Sequence, residues 1–542
     1  MSLLWRTFSK KINVWSVGAL FGSLLLLAPF IAVFAGILQD NAEWTHIAQT
    51  VLPQYLINTV ILIFGVGLLS LVFAVPTAWL VANFQFPFRN LLNWALVLPL
   101  AVPTFAAAFV YYDLLDWLIP LLLFIREYAG LEASLLAESI LRYGVLIVLL
   151  SSVLYPYVFI SLRTAFSRDQ RVYSEAAQML CRSPKEIFWG ISLPLARPML
   201  VGGLSLVIME VINDYGAVNF FGVPTLTEGI FRTWFGLEDR SSGLLLAIIM
   251  LIMVYQLLAF EFWLRKRRRF TEGSQVNSPK QLLTLSKWAG RYATLLCTIP
   301  LSVGFIFPVI RFIYWASLSA ASYQPAEFFT QAFTSSSLAL GASISICLMA
   351  LFLAYNMELH KNKSIQKLIR VSTLGYAVPS VVTGVGVIVL FGAIDRMDAW
   401  FGYSLPFILS GSLLAIGFAY IVRFFSVAYQ PLHASMQSVC KSFNEVSSLL
   451  GRSKWDGLRL IYWPLLKVHL LACAALVFID ITKELPLTLI LRPSGFETLA
   501  TYAYGFAKEG YIYDCALPAL LIIGLGVVGL FFINKWIEES FT

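Results

Sequence analysis

The sequence predicts an all-α polytopic membrane protein of about twelve transmembrane helices, arranged as two parallel six-helix repeats. Three observations lead there. The 542 residues are 59% hydrophobic and only 13% charged, and long apolar runs recur along the chain. About 20 apolar residues cross a hydrocarbon core of roughly 30 Å, and in lipid such runs must be helices because every backbone polar group needs an internal partner. Two polar, basic interruptions share one internal spacing and lie 270 residues apart, with Glu175 and Glu445 early in each and Pro194 and Pro464 late in each. An Ala-Val-Pro step followed by a hydroxyl residue occurs at 101–104 and again at 377–380, 276 residues on. Duplication on that scale points to two copies of one unit. An even number of spans per copy gives both copies the same orientation in the membrane.

The elements follow in order. Arg6, Lys10 and Lys11 precede a first apolar run at about 14–38. Ala32-Val33-Phe34-Ala35 has a faint likeness to a signal-cleavage site, but the run is long for a signal peptide. It reads as a retained span with its N-terminus in the cytoplasm. The next loop carries Asp40 and Glu43 without Lys or Arg, as suits the outside. Spans are expected at about 56–82, 91–115 and 140–162, with 116–139 an irregular outer segment whose apolar piece, Leu118 to Ile125, is too short to cross. The loop at 163–198 carries Arg163, Arg168, Arg171, Arg182, Lys185 and Arg197; basic residues beside spans mark the cytoplasmic side.

Spans at about 199–221 and 243–264 close the first repeat, 1–269, which ends on Arg265-Lys266-Arg267-Arg268-Arg269. A polar cytoplasmic linker, 270–287, joins it to the second repeat, 288–542. Spans are expected there at about 289–316, 336–357, 369–393, 405–429, 466–490 and 515–535. His360, Lys361, Lys363, Lys367 and Arg370 fall inside and Asp395, Arg396 and Asp398 outside, so both termini are expected in the cytoplasm. The offset between repeats drops from 276 to 270 between the proline step and the basic loops. The first repeat therefore holds a net six extra residues, assigned to 116–139.

Composition also excludes functions. The net charge of +8 sits beside spans, as membrane-surface anchors do, and not in a nucleic-acid patch. The six cysteines form no CxxC and lie mostly in apolar runs, as small buried hydrophobes do. The four histidines are scattered, which argues against a transition-metal cluster. The chain lacks GxxxxGK[ST], so it has no phosphate-cradling loop of that kind. No Ser/His or His/Asp group gathers at one membrane face, which disfavours a membrane enzyme.

The basic loops carry the chemistry. The first holds Glu175-Ala176-Ala177, Cys181, Ile191, Leu193 and Pro194; the second holds Glu445-Val446-Ser447, Gly451, Ile461, Trp463 and Pro464. A short helix along the membrane surface can fit a cleft on a soluble partner and pass on its rigid-body movement. Ala176 and Ala177 allow close approach, and Glu175 can meet a basic or helix-N-terminal surface. Gly451 permits a turn between short helices. Pro194 and Pro464 are expected at the start of the following span, where a missing N–H is tolerated. An ordinary basic inner loop would not reproduce this spacing twice. The pattern Glu-Ala-Ala, three residues, Gly, nine residues, Ile-x-Leu-Pro resembles the cytoplasmic signature of the membrane subunits of ABC importers. Cys181 replaces the glycine in the first copy; Val446-Ser447 and Trp463 depart from the pattern in the second. The resemblance implies a type I ABC importer permease fold without catalytic residues or a resident cofactor. ATP and Mg would be held by a separate ATPase, two copies of which dock one per loop.

The spans after the loops hold charges. Glu210, Asn213 and Asp214 match Asp480, Lys483 and Glu484 at the offset of 270. On one continuous helix from Met199, Glu210 lies roughly 16 Å and Asp214 roughly 22 Å into the span, and residues four apart share a face. Charges at that depth face the bundle interior or a pathway. One reading is an outer gate of four carboxylates that touches a hard cation in transit. The other is that they cap a helix end or pair internally, with Lys483 beside Glu484. No resident metal site is expected.

The segments Asp214-Tyr215-Gly216-Ala217-Val218-Asn219-Phe220-Phe221-Gly222-Val223-Pro224, Gly229-Ile230-Phe231-Arg232-Thr233-Trp234-Phe235-Gly236, Lys483-Glu484-Leu485-Pro486-Leu487-Thr488-Leu489-Ile490-Leu491-Arg492-Pro493 and Ala516-Leu517-Pro518-Ala519 look like the ferric-iron branch of these permeases. That likeness implies a periplasmic ferric-iron-binding protein as donor and a place in the bacterial inner membrane. Related permeases carry thiamine, polyamines or sulfate, so thiamine or a polyamine is the alternative cargo. An ion-coupled secondary transporter is the alternative from another class, distinguished by uptake that needs no ATPase.

Overall fold

The computed structural model of the chain describes residues 14–38, 43–169, 177, 179, 180, 182–266, 282–319, 325–359, 363–400, 409–438 and 451–539. Among these, nine helices are long and apolar enough to cross a membrane, from Trp15–Val33 to Lys454–Thr482. Two helix pairs bent at a short break pass the same length and hydropathy test when taken together, and Ala516–Phe532 is a shorter apolar helix. Each apolar run read from the sequence is therefore largely helical over its described residues. The spans turn large side chains outward, Phe21, Phe64, Leu68 and Tyr255 among them, as chains dissolved in lipid do.

Two expected spans, 91–115 and 369–393, are not straight. The pieces Arg89–Ala101 and Thr104–Asp116 meet at 90°, and Lys363–Ala377 and Ser380–Arg396 at 117°. Both breaks fall on the repeated proline step. The ring of a proline forces the residue before it out of the helical region; Val102 (φ −85, ψ 118) and Val378 (φ −77, ψ 130) are accordingly extended. The carbonyls of Pro103 and Pro379 then open the next helix, accepting from Ala107 and Thr383. Carbonyls near a break need donors from elsewhere in the bundle. Arg163 donates to Asn93 O at 2.7 Å and Tyr155 to Leu96 O at 3.0 Å. In the other repeat Arg423, 3% exposed, donates to the carbonyls of both Tyr376 and Val378.

The segment 116–139, expected to be irregular, is helical. It belongs to Ile119–Thr164, broken only at Gly130 (φ 87, ψ 174), and Ser134 donates across the break to Leu122 O at 3.1 Å. Most of its side chains are exposed, so the one-sided apolar stripe that advertises a packed helix is missing from its sequence. The spans expected over 199–221 and 466–490 also stop early, at Asn213 and Thr482, and short helices Gly216–Phe220 and Pro486–Leu491 follow.

The described chain forms two compact units that cut across the sequence repeats. One comprises 42–323 with 503–526; the other comprises 1–41, 324–502 and 527–542. The leading helix of each repeat thus belongs to the unit built mainly from the other repeat. Glycines permit the close approach. A Cβ on Gly304, of the span opening the second repeat, would strike Ser152 O; one on Gly386 would strike Pro29 O of the first helix. A two-residue parallel pairing of Phe84–Gln85 with Leu283–Thr284 pins the end of the linker within the first unit.

Candidate functional site

The basic loops are built alike where they are described. Glu175, Ala176, Cys181 and Glu445 lie outside the described residues, as do Val446 and Ser447. Ala177 is buried and its carbonyl accepts from Arg182 N at 3.1 Å. Gly451 has φ +69, the left-handed conformation that a side chain disfavours. Both loops then start their exit helix with a reciprocal cap: Ser183 with Glu186, and Ser453 with Asp456. The Ser-x-x-acid spacing supplies acceptors to otherwise orphaned N–H groups.

Pro194 and Pro464 do not open the spans. The helices Pro184–Asn213 and Lys454–Thr482 begin about ten residues earlier, and each contains a widened turn, Phe188–Ser192 and Leu458–Tyr462, just before its proline. There Leu193 donates to Phe188 O and Trp463 to Leu458 O, five residues back. An interior proline has no N–H and clashes with the carbonyl four residues earlier; the wide turn relieves both. Ile191, Leu193 and Ile461 are half-buried, and Pro194 and Pro464 are exposed. Large apolar side chains stand out from these segments, Met179 at 85% and Leu180 at 77% exposure, with Trp189 and Trp455 also exposed. Such exposure in a basic stretch suits a surface that a partner covers.

The intramembrane charges are not stacked on one helix face. The first helix ends at Asn213, and Asp214 is extended (φ −66, ψ 122). Its carboxylate, on a residue 8% exposed, accepts from Ala217 N at 2.9 Å and Val218 N at 3.3 Å. The hydroxyl of Thr104, first residue after the proline break, hydrogen-bonds the same carboxylate. Glu484, also 8% exposed, accepts from Leu487 N at 3.2 Å. Both acids therefore satisfy the free N–H groups at the start of the next short helix. Lys483 pairs with Asp480 at 2.8 Å. Glu210 is half-buried and Asn213 buried. Of the two readings of these carboxylates, capping and internal pairing describe Asp214, Glu484 and Asp480.

The segments that follow these two helices are tied down by contacts that sequence reasoning missed. Thr59 and Ser335, 276 apart, each accept a backbone N–H, from Leu226 at 3.1 Å and Leu499 at 2.6 Å. The repeat offset itself could have found that pair. Tyr504 donates to Asn219 Oδ1 at 2.6 Å, and Tyr215 stacks on Phe231 with ring centroids 3.9 Å apart. Nothing local links Tyr504 to Asn219. Burial pushes the Glu228 carboxyl above its ordinary value, while the Arg232 guanidinium pulls it down. Among the described residues no group of three or more His, Cys, Asp or Glu side chains gathers to hold a metal ion.

The family model described as "binding-protein-dependent transport system inner membrane component" matches twice, at residues 74–270 and 346–542. An Fe(3+)-transport system permease protein of Haemophilus influenzae is 24% identical over 493 residues, 90% of each chain. A probable sulfate transport system permease protein of Nephroselmis olivacea is 30% identical over 158 residues, 28% of this chain and 51% of that one. A protein of Salmonella choleraesuis named for 2-aminoethylphosphonate transport is 25% identical over 209 residues, 38% of this chain and 75% of that one.

Proposed function

The chain belongs to the family of binding-protein-dependent transport system inner membrane components, in two fused copies, and from that premise we propose that it carries ferric iron. It is the non-catalytic, membrane-spanning subunit of an ABC importer. The observation that carries the iron reading is the likeness to an Fe(3+) permease along 90% of both chains; the sulfate and phosphonate relatives match along shorter stretches. In this reading a periplasmic ferric-iron-binding protein delivers the cargo across the bacterial inner membrane. Two copies of a separate ATPase, holding ATP and Mg, dock at the loops of Glu175 and Glu445. Their closure moves the loops together and switches the membrane subunit between inward- and outward-facing states. The sequence repeats 1–269 and 288–542 remain the evolutionary units, with both termini in the cytoplasm.

Support for the docking role comes from the two matching capped segments with exposed apolar side chains. The test is retention of the ATPase on the purified chain. Glu175→Arg and Glu445→Arg should each lower it and abolish uptake together. Full retention and uptake in the double variant would remove the loops from the mechanism.

A further inference from the structure

We infer that Trp79 and Tyr355 are positioning residues that gear each ATPase-docking segment to the second span of its repeat, an inference that rests on the docking reading above. The two residues stand 276 apart, the offset of the repeated proline steps. Each lies near the end of its span, Leu52–Asn83 or Pro325–Leu359. Trp79 touches both sides of the first loop. Its ring centroid lies 5.2 Å from Phe166, where the preceding helix runs into the loop, and 5.2 Å from Phe188, in the wide turn after it. Phe188 in turn meets the exposed Trp189 edge to face at 5.1 Å.

Tyr355 does the same work with different chemistry. Its hydroxyl donates to Lys454 O, the first residue of the second exit helix, at 2.7 Å. Its ring lies 5.1 Å from Tyr462, in the second wide turn. Trp15, from the first helix of the chain, completes the cluster at 5.5 Å from Tyr355 and 5.4 Å from Trp455. Each aromatic knot therefore joins three helices: Leu52–Asn83, Ile119–Ser167 and Pro184–Asn213 in one unit, and Val14–Val33, Pro325–Leu359 and Lys454–Thr482 in the other. Rings in edge-to-face contact are rigid bodies with few rotamers, and close-packed contacts transmit strain instead of absorbing it. A push on the docking segment reaches the second span directly through the knot, as well as along its own helix.

The test uses the chain in nanodiscs with its ATPase, compared with and without ATP and vanadate by hydrogen–deuterium exchange. In the wild type the nucleotide should change exchange both in 184–192 and in 70–83. In Trp79→Leu the change in 184–192 should persist while that in 70–83 falls about fivefold or more, the low end of an ordinary coupling free energy. Trp79→Phe, which keeps a ring, should retain most of it. Tyr355→Leu should repeat the loss in 345–359, and Tyr355→Phe, which keeps the ring but not the bond to Lys454 O, should fall between it and wild type. If Trp79→Leu fails to assemble, Trp79→Met fills the space without a flat ring and carries the same comparison. Wild-type transmission in an assembled Leu or Met variant overturns the inference. A wild-type complex whose docking segments do not respond to nucleotide overturns the docking reading, and this inference with it.

Discussion

Asp214→Ala separates a capping carboxylate from a cargo contact. Asp214 accepts from Ala217 N, Val218 N and the Thr104 hydroxyl in a buried position. Truncation removes a helix-start acceptor, costing about 0.5–2 kcal/mol. It also leaves buried donors without a partner, at about 1–3 kcal/mol for a well-made bond. The contact to Val218 is long, so the total should be about 2–4 kcal/mol. Asp214→Asn keeps an oxygen acceptor of nearly equal capping strength and should cost less than about 1 kcal/mol. Denaturant midpoints of the detergent-solubilised variants measure both, with uptake assayed in parallel. The expected order is a destabilised Ala variant, and an Asn variant close to wild type in stability and uptake. Wild-type stability in Asp214→Ala, with uptake lost equally in both variants, would refute the cap and return Asp214 to the pathway.

Three further outcomes follow from named contacts. Lys483→Met should leave Asp480 half-buried and unpaired at a cost of about 1–2 kcal/mol, between surface and buried ion-pair values. Adding Asp480→Asn should recover much of that in a double-mutant cycle, and strictly additive losses would refute the pairing. Arg423→Met removes the donor to Tyr376 O and Val378 O and should destabilise by about 2–4 kcal/mol, with Arg423→Lys recovering part; an unchanged midpoint would dismiss the clamp. Burial raises the Glu228 carboxyl, opposed by Arg232, so the folded state holds that proton more tightly than the unfolded chain. Its stabilising contribution is complete below the unfolded value and is lost as pH rises through the folded one. Glu228→Gln should therefore gain stability relative to wild type between about pH 4.5 and about pH 7; an equal difference at both would contradict the assignment.

The sequence made the helical class and the duplication legible because both rest on long-range regularities: apolar run length and two fixed offsets. It misled wherever a single residue interrupts a run. Hydropathy passes smoothly through Pro103 and Pro379, yet each proline turns its span by 90° or more. It also passes through Asp214 and Lys483, where the helices end and the acids cap the next turn instead of stacking. Ser183-x-x-Glu186 and Ser453-x-x-Asp456 were readable capping signals that pointed to helices starting before Pro194 and Pro464. The exchange of leading helices between units was not readable, because contacts such as Gly386 against Pro29 join residues with no local pattern in common. The same holds for Tyr504 with Asn219.

The central claim is that this chain passes ferric iron under the drive of a separate ATPase. The direct measurement is uptake of radiolabelled ferric iron, presented on the periplasmic binding protein, by cells with and without the chain and with the ATPase intact or inactivated. Uptake that requires both the chain and ATP hydrolysis is the predicted result. Uptake indifferent to the chain, or persisting without ATP hydrolysis and following a proton or sodium gradient, would contradict it.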